Sequence, residues 1–262
     1  RGMKFFVRNF GCRATQSDGA ALASALIQSG HLAAEDCASA DVVILNTCTV
    51  TSAADDDVRQ AVRRVRRENP AARILLAGCF AQRAPEEAAA LPGVDWVVGN
   101  THKLRIPELF ACGPAACHER VWVGDIAAER KFTAAPVVDA GEDRTRPTLK
   151  IQDGCNNRCT FCIIPSVRGP SRSATADGVV RAVASLAENY REIVLSGVNL
   201  GRWGRDLPGR PRLASLVRRL LDETGAGRLR LSSVEPMDLT DDLLGLMTST
   251  DRIAQHVHAP LQ

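Results

Sequence analysis

The chain has 262 residues, of which 45% are hydrophobic and 4% aromatic, and a formal net charge of +3. That is enough apolar material for one large or two ordinary domains packed mostly with Ala, Leu, Val and Ile. The charge is too small to indicate a nucleic-acid partner by itself, and no apolar run approaches the ~18 residues of a membrane-spanning helix.

The first part alternates short apolar strands with helical stretches. Met3–Phe10 reads as a strand, Asp18–Gln28 as an Ala/Leu-rich helix ended by Gly30, and Asp41–Leu45 as a short buried strand. A helix follows from about Ala53 to Glu68, with Thr51 and Ser52 as candidate N-caps and Pro70 beyond its end. Arg59, Arg63, Arg64, Arg66 and Arg67 lie on that helix with Asp55, Asp56 and Asp57 at its start, an order that suits the helix dipole. Arg73–Ala77 and Asp95–Val98 read as strands, and Pro85–Leu91 and Lys103–Phe110 as helices. This alternation predicts an open parallel sheet with helices on both faces. Ala111–Cys117 looks like a turn and Val121–Val123 like a strand; Ala134–Arg146 is rich in Pro, Gly and charge and reads as a linker.

A second pattern runs through strand Thr148–Gln152, helix Thr175–Glu188, strand Glu192–Leu195, helix Leu213–Glu223, strand Arg228–Ser232, helix Asp241–Met247 and strand Ile253–His258. Four strand units in sequence predict part of a (β/α) barrel. The fold class expected is therefore α/β. Residues 1–133 form an N-terminal sheet domain, 134–147 a linker and 148–262 an incomplete barrel.

Nine cysteines stand out in an otherwise ordinary composition. The N-terminus shows no signal peptide, which makes a disulfide framework the weaker reading and reduced thiols serving a metal or cluster the stronger. A cytoplasmic location with no membrane partner is expected. Cys155, Cys159 and Cys162 form a C-x3-C-x2-C triad in the loop after a predicted strand. Three thiolates at this spacing can hold three irons of a four-iron cluster and leave the fourth open to a cofactor. Cys12, Cys48 and Cys79 each follow a predicted strand immediately. In a parallel sheet the carboxyl ends of the strands share one edge, so these three should converge on a second cluster site. The plainer alternative is three small buried thiols at strand ends; a structural zinc site is another.

In the second half, Ser196-Gly-Val-Asn-Leu-Gly201 and Ser232-Ser-Val-Glu235-Pro follow strands. Gly197, Asn199, Ser232, Glu235 and Arg168 are candidate cofactor contacts, against ordinary β–α turns and helix caps. Arg168, Arg172, Arg202 and Arg205 gather after strand ends, where they could bind a carboxylate or phosphate or simply be solvated. His256 and His258 alternate on the last predicted strand, either as hydrogen-bonded rim or core residues or lining the cavity.

The C-x3-C-x2-C loop resembles the signature of radical S-adenosyl-L-methionine (SAM) enzymes. Together with Phe10-Gly-Cys-Arg, Asn46-Thr-Cys-Thr-Val-Thr51, Gly78-Cys-Phe-Ala-Gln-Arg83, Val94-Asp-Trp-Val-Val-Gly99 and Gln152-Asp-Gly-Cys…Ile-Ile-Pro-Ser-Val-Arg-Gly169, it resembles the methylthiotransferase family of those enzymes. The resemblance implies two [4Fe-4S] clusters, one on each cysteine trio, with SAM bound at the open iron of the Cys155/Cys159/Cys162 cluster. It also implies a transferase: a SAM-derived radical takes hydrogen from adenine C2, sulfur comes from the Cys12/Cys48/Cys79 side, and a second SAM gives the methyl group. The implied partners are tRNA, through its anticodon loop, and an electron donor such as a flavodoxin or ferredoxin. Three branches act on threonylcarbamoyladenosine in tRNA, on isopentenyladenosine in tRNA, or on a ribosomal-protein aspartate; the Asn46–Thr51 motif, the Arg-rich helix, Gln152-Asp-Gly and Arg230–Pro236 look most like the first. Two departures are visible. Thr15 stands where the family usually carries Asn, which weakens any supporting role for that position. The chain also stops at Gln262, where family members continue through two more barrel units and an RNA-binding β domain, so a truncated barrel and loss of activity on RNA are expected. Cys37, Cys112 and Cys117 match no ligand position.

Overall fold

The structure is a computed structural model that describes residues 2–111, 119–133 and 146–260. The expected turn at Ala111–Cys117 and the expected linker lie largely outside the described residues. The chain divides into two compact units: Arg1–Glu129 together with Asn157–Gly169, and Arg130–Asn156 together with Pro170–Gln262.

The first unit is built on six parallel strands: β1 (Lys4–Asn9), β2 (Leu32–Ala33), β3 (Val42–Thr47), β4 (Arg73–Gly78), β5 (Trp96–Val98) and β6 (Val121–Trp122). Their order across the sheet is β2-β1-β3-β4-β5-β6. Residues alternate between faces along each strand, and both faces are covered. Phe5, Val42, Ile44, Leu75 and Ala77 pack with Leu22 and Leu26 of α1 (Arg13–Gln28) and Ile106, Leu109 and Phe110 of α5 (Ile106–Ala111). Val43, Leu45, Ile74 and Leu76 pack on the other face against Val58, Val62 and Val65 of α2 (Ser52–Glu68), Phe80 of α3 (Cys79–Arg83) and Ala88 of α4 (Pro85–Ala90). Burial on both sides is why these strands read as continuous apolar runs. Helix α6 (Ile164–Arg168) packs against α3 and belongs to this unit although it lies in the cysteine loop.

Helix α1 begins five residues before its expected start. Cys12 is its N-cap, and the Cys12 carbonyl accepts from Gln16 N at 3.1 Å. The small polar run Arg13–Ser17 carries no apolar period, which hid that turn. Thr51 caps α2, its hydroxyl accepting from Ala54 N at 3.2 Å, an arrangement worth about 1 kcal/mol.

The second unit holds β7 (Thr148–Asp153), β8 (Arg172–Ser173), β9 (Glu192–Gly197) and β10 (Arg228–Leu231), ordered β10-β9-β7-β8. β7, β9 and β10 are parallel; β8 is a two-residue antiparallel addition. Helices α7 (Ala176–Ala187), α8 (Leu213–Glu223) and α9 (Asp241–Ser249) share one core with Ile151, Ile193, Leu195, Leu229 and Leu231. The alternate strand positions carry Lys150, Glu192, Ser196 and Arg230, and Arg230 pairs with Glu192 at 2.6 Å. One face is thus apolar and helix-covered and the other polar, as in part of a (β/α) barrel.

The expected last strand, Ile253–His258, does not form. Only the bridges Leu229–Ile253 and Ser233–His258 exist, because His256 N bonds back to Ala254 O at 2.7 Å and turns the chain. His256 and His258 are exposed, and His258 Nδ1 lies 2.7 Å from Ser233 Oγ, so they are rim residues.

Candidate cluster and cofactor sites

In the first unit, β1 and β3 are neighbours, but the chain leaves β1 towards β2 on one side and continues from β3 to β4 on the other. The switch point of the sheet therefore lies between β1 and β3, where doubly wound sheets open a crevice at the strand carboxyl ends. Cys12 and Cys48 follow those two strands, and Cys79 follows β4, the next one along. Cys48 and Cys79 are buried and Cys12 exposed.

The Cys12 and Cys48 side chains hydrogen-bond, and Cys79 is near enough to act on Cys48 electrostatically. The bond from Cys48 brings Cys12 down to about 4 against the opposing effect of burial, helped by the Arg168 charge and by Thr15. The same bond, with burial, pushes Cys48 up. Cys12 also caps the N-terminus of α1, a position that favours thiolate. Two glycines make the approach possible. Gly11 has φ +92°, and a Cβ there would sit 2.6 Å from Cys48 Cβ; Gly78 has φ +101°, and a Cβ there would sit 2.6 Å from Thr47 O.

A polar frame holds these strand ends. Asn46 Nδ2 donates to Asn9 Oδ1 at 2.8 Å and to Thr15 O at 2.7 Å. Thr15 is fully buried, with Oγ1 3.5 Å from Cys12 Sγ. Asp55 accepts from Thr49 Oγ1 at 2.8 Å and Arg83 Nη2 at 2.7 Å, tying the residue after Cys48 to the helix that begins at Cys79. Asn100 Nδ2 donates to Val167 O at 2.7 Å and lies 3.5 Å from Cys79 Sγ. None of Asn9, Asn46, Asp55 and Asn100 stands out as a site residue in the sequence; the signal available was the position of the three asparagines within three residues of a strand's carboxyl end and of Asp55 in the first turn of the helix after Cys48.

Cys159 and Cys162 lie in the segment that packs with the first unit, Cys155 in the second. Arg168, expected as a cofactor contact, is 2% exposed and donates to Asp18 Oδ2 at 3.1 Å. Lys103 reaches the same oxygen at 3.1 Å.

In the second unit, Cys155 follows β7. Asn199, two residues beyond β9, donates from Nδ2 towards Cys155 Sγ at 3.6 Å. The organising residue is Gln152, fully buried: its Oε1 accepts from Asn199 N at 2.8 Å, and its Nε2 donates to Gly154 O at 2.7 Å and Ser171 Oγ at 3.0 Å. A register shift between Lys150 and Gln152 brings it across Gly197. A Cβ on Gly197 would meet Gln152 Oε1 at 2.9 Å, so that glycine makes room for Gln152. Asn199 Oδ1 and Ser232 Oγ are buried with no partner among the described residues. Each such atom costs about 1–3 kcal/mol unless something else binds it, which fits a polar cofactor at the ends of β9 and β10. Glu235 is half-buried and opens the 3₁₀ turn Pro236–Asp238. Within the second unit, Arg202 and Arg205 both pair with Asp238, at 3.1 and 2.7 Å, and Arg172 is buried on β8.

Among the described residues no three His, Cys, Asp or Glu side chains surround a point as one metal ion requires. A cluster anchors each thiolate on its own iron, and soft sulfur donors in threes suit it.

Residues 4–99 match the family described as "Uncharacterized protein family UPF0004", and residues 149–260 match the radical SAM superfamily. The chain is 38% identical over 261 residues to a threonylcarbamoyladenosine tRNA methylthiotransferase MtaB of Aquifex aeolicus, covering 99% of this chain and 63% of that one. Over nearly its whole length the chain is thus similar to the radical SAM methylthiotransferases. The MtaB of Bacillus subtilis is 36% identical, with 96% of this chain and 56% of the relative covered. A tRNA-2-methylthio-N(6)-dimethylallyladenosine synthase of Sphingopyxis alaskensis is 37% identical, with 98% and 59% covered. The chain spans about three fifths of the length of these methylthiotransferases. Its fold is like that of TsrM, a radical SAM methyltransferase of Kitasatospora setae solved with cobalamin and a [4Fe-4S] cluster, with a TM-score of 0.60 at 14% identity over 94% of this chain and 59% of that one. An iron–sulfur cluster and SAM go with this family. No helix among the described residues is long and apolar enough to cross a membrane.

Proposed function

We propose that this chain carries the cluster- and SAM-binding parts of a tRNA methylthiotransferase acting at C2 of N6-threonylcarbamoyladenosine next to the anticodon. The observation that carries this reading is the meeting of Cys12 and Cys48 at the switch point, with Cys79 on the adjoining strand, in a chain that also bears the C-x3-C-x2-C loop. Cys12, Cys48 and Cys79 would hold one [4Fe-4S] cluster, and Cys155, Cys159 and Cys162 a second. Asn199 Oδ1 and Ser232 Oγ offer unused acceptors to the polar groups of SAM, with Gly197 and Glu235 on the same loops. When bound, the clusters and SAM supply the radical and methyl-transfer chemistry. The protein's own part is to fix geometry: Gln152 locks the Cys155 loop to the Asn199 loop, and Asp55 locks the Cys48 loop to α3. The target base must leave its stack to be reached, which suits a loop nucleotide. A small redox protein such as a flavodoxin or ferredoxin would supply electrons, in the cytoplasm.

Two measurements test this reading. Anaerobic reconstitution should give about eight irons per chain, falling to about four in Cys12→Ala; about four in both would overturn the two-cluster assignment. Mass spectrometry of tRNA nucleosides from cells lacking the gene should show the 2-methylthio form of threonylcarbamoyladenosine missing. A second reading, isopentenyladenosine as substrate, is favoured by the 37% identity to the Sphingopyxis enzyme, and loss of that nucleoside's methylthio form would establish it instead.

A further inference from the structure

Helix α2 carries five arginines, and their surroundings divide them. Arg59 is held by Asp56 and Glu87, and Arg66 by Asp95 with the carbonyls of Pro70, Ala72 and Gly93. Arg64 pairs with Glu68 at 2.6 Å. Arg63 and Arg67 are exposed and have no ion pair among the described residues. Gln60, Arg63, Arg64 and Arg67 follow the i, i+3, i+4, i+7 stripe of one helix face. That face lines a groove of about 530 Å³ whose other wall is Arg8 and Phe10 of the β1 end. Arg8 is exposed, and its guanidinium stands over the Phe10 ring at 5.3 Å from the centroid. Asp57 is the one acidic side chain in the lining.

We propose that this groove binds the phosphate backbone of the RNA substrate. The proposal rests on the tRNA reading above and adds where the N-terminal unit grips the RNA. Three features favour RNA over an acidic protein. Arginine forks match phosphate oxygens two at a time. Arg63 and Arg67 rise about 6 Å apart along the helix, the scale on which phosphates repeat along a strand. The Arg8–Phe10 stack gives an unpaired base a flat apolar and cationic surface to lie on. Phe10 is also two residues before Cys12, so RNA held in the groove is held beside the switch-point crevice of the same sheet.

The test is fluorescence anisotropy of a labelled tRNA anticodon stem-loop against the reconstituted chain over a range of KCl concentrations. The variant is Arg8→Gln/Arg63→Gln/Arg67→Gln, with Arg218→Gln on α8 as a control at an exposed site in the other unit. Circular dichroism and iron content serve as folding checks. The triple variant should bind at least ~10-fold more weakly near 0.1 M salt, with the slope of log K against log salt reduced by about 2, and the control should match wild type. An unchanged slope in the triple variant overturns the groove assignment, as does wild-type chain that binds no stem-loop. Unchanged RNA binding with slower reduction by an acidic electron carrier would make the groove a protein dock and overturn it too. The nucleoside analysis is independent of all these outcomes, so the groove can fail while the tRNA reading stands.

Discussion

The strongest consequence for stability concerns Asp18. It lies inside α1, with its side chain 8% exposed, and one of its oxygens meets both Lys103 and Arg168 at 3.1 Å; those side chains are 5% and 2% exposed. In Asp18→Ala the Lys103 ammonium loses its carboxylate while still buried, and Arg168 loses this contact. Breaking a buried ion pair from one side costs about 3–5 kcal/mol, a large share of the ~5–15 kcal/mol that holds a domain together. For a unit of this size the melting point should fall by roughly 10 °C. Replacing all three groups by apolar ones, Asp18→Leu/Lys103→Met/Arg168→Met, removes the charges together and should recover most of that loss. Differential scanning calorimetry reads the transition, and hydrogen exchange in peptides covering α1 assigns it to the first unit. A drop below about 3 °C for Asp18→Ala, or a triple variant no better than the single, would refute the claim that this carboxylate neutralises two buried cations.

Three other outcomes are expected. Gln152→Leu leaves Asn199 N, Gly154 O and Ser171 Oγ without that partner; it should cost about 2–4 kcal/mol in urea unfolding and weaken SAM binding measured by calorimetry. Asp55→Ala removes the acceptor shared by Thr49 and Arg83; a loss of about 2–3 kcal/mol is expected, with iron released at lower temperature. Glu192 is held below its ordinary value by Arg230 and then Arg146. A lowered folded-state value gives stability that is present above the unfolded carboxylate range and lost as pH falls through the folded value. Glu192→Gln should therefore be less stable at neutral pH and show a shallower loss on acidification, read from melting curves between pH 7 and pH 3.

What could be read without coordinates was what depends on local pattern. Val42–Leu45 and Ile74–Ala77 are apolar on consecutive residues because both faces of their sheet are covered, and a run of that kind marks a buried parallel strand on sight. Cys12, Cys48 and Cys79 could be brought to one edge from strand positions alone, since parallel strands end on the same side. Pairing at a distance left no local trace. Arg172–Ser173 forms a strand because Gln152 and Asp153 lie beside it, and two residues carry no period. Ile253–His258 has the alternation of a strand yet makes only two bridges. Gly197 looked like space for a ligand, whereas the space is filled by Gln152, a residue 45 positions earlier.

The cysteine loop shows most clearly why position along the chain and position in the fold differ. Asn157–Gly169 sits between β7 and β8 of the second unit in sequence, yet it packs with the first. Helix α6 packs on the 3₁₀ turn Ile126–Ala128, and three further contacts hold it: α6 against α3, Asn100 donating to Val167 O, and Arg168 donating to Asp18. Each of these three joins residues 67 or more apart in sequence, and each ends on an element that also bears a cysteine or supports one. Asp18 is on the helix capped by Cys12, Asn100 lies against Cys79 Sγ, and α3 begins at Cys79. Asp18, Asn100 and α3, which hold the segment bearing Cys159 and Cys162 to the first unit, are therefore also neighbours of the Cys12/Cys48/Cys79 trio. A substitution in that frame, at Asp18 or Asn100, bears on the anchoring of Cys159 and Cys162 and of the trio at once.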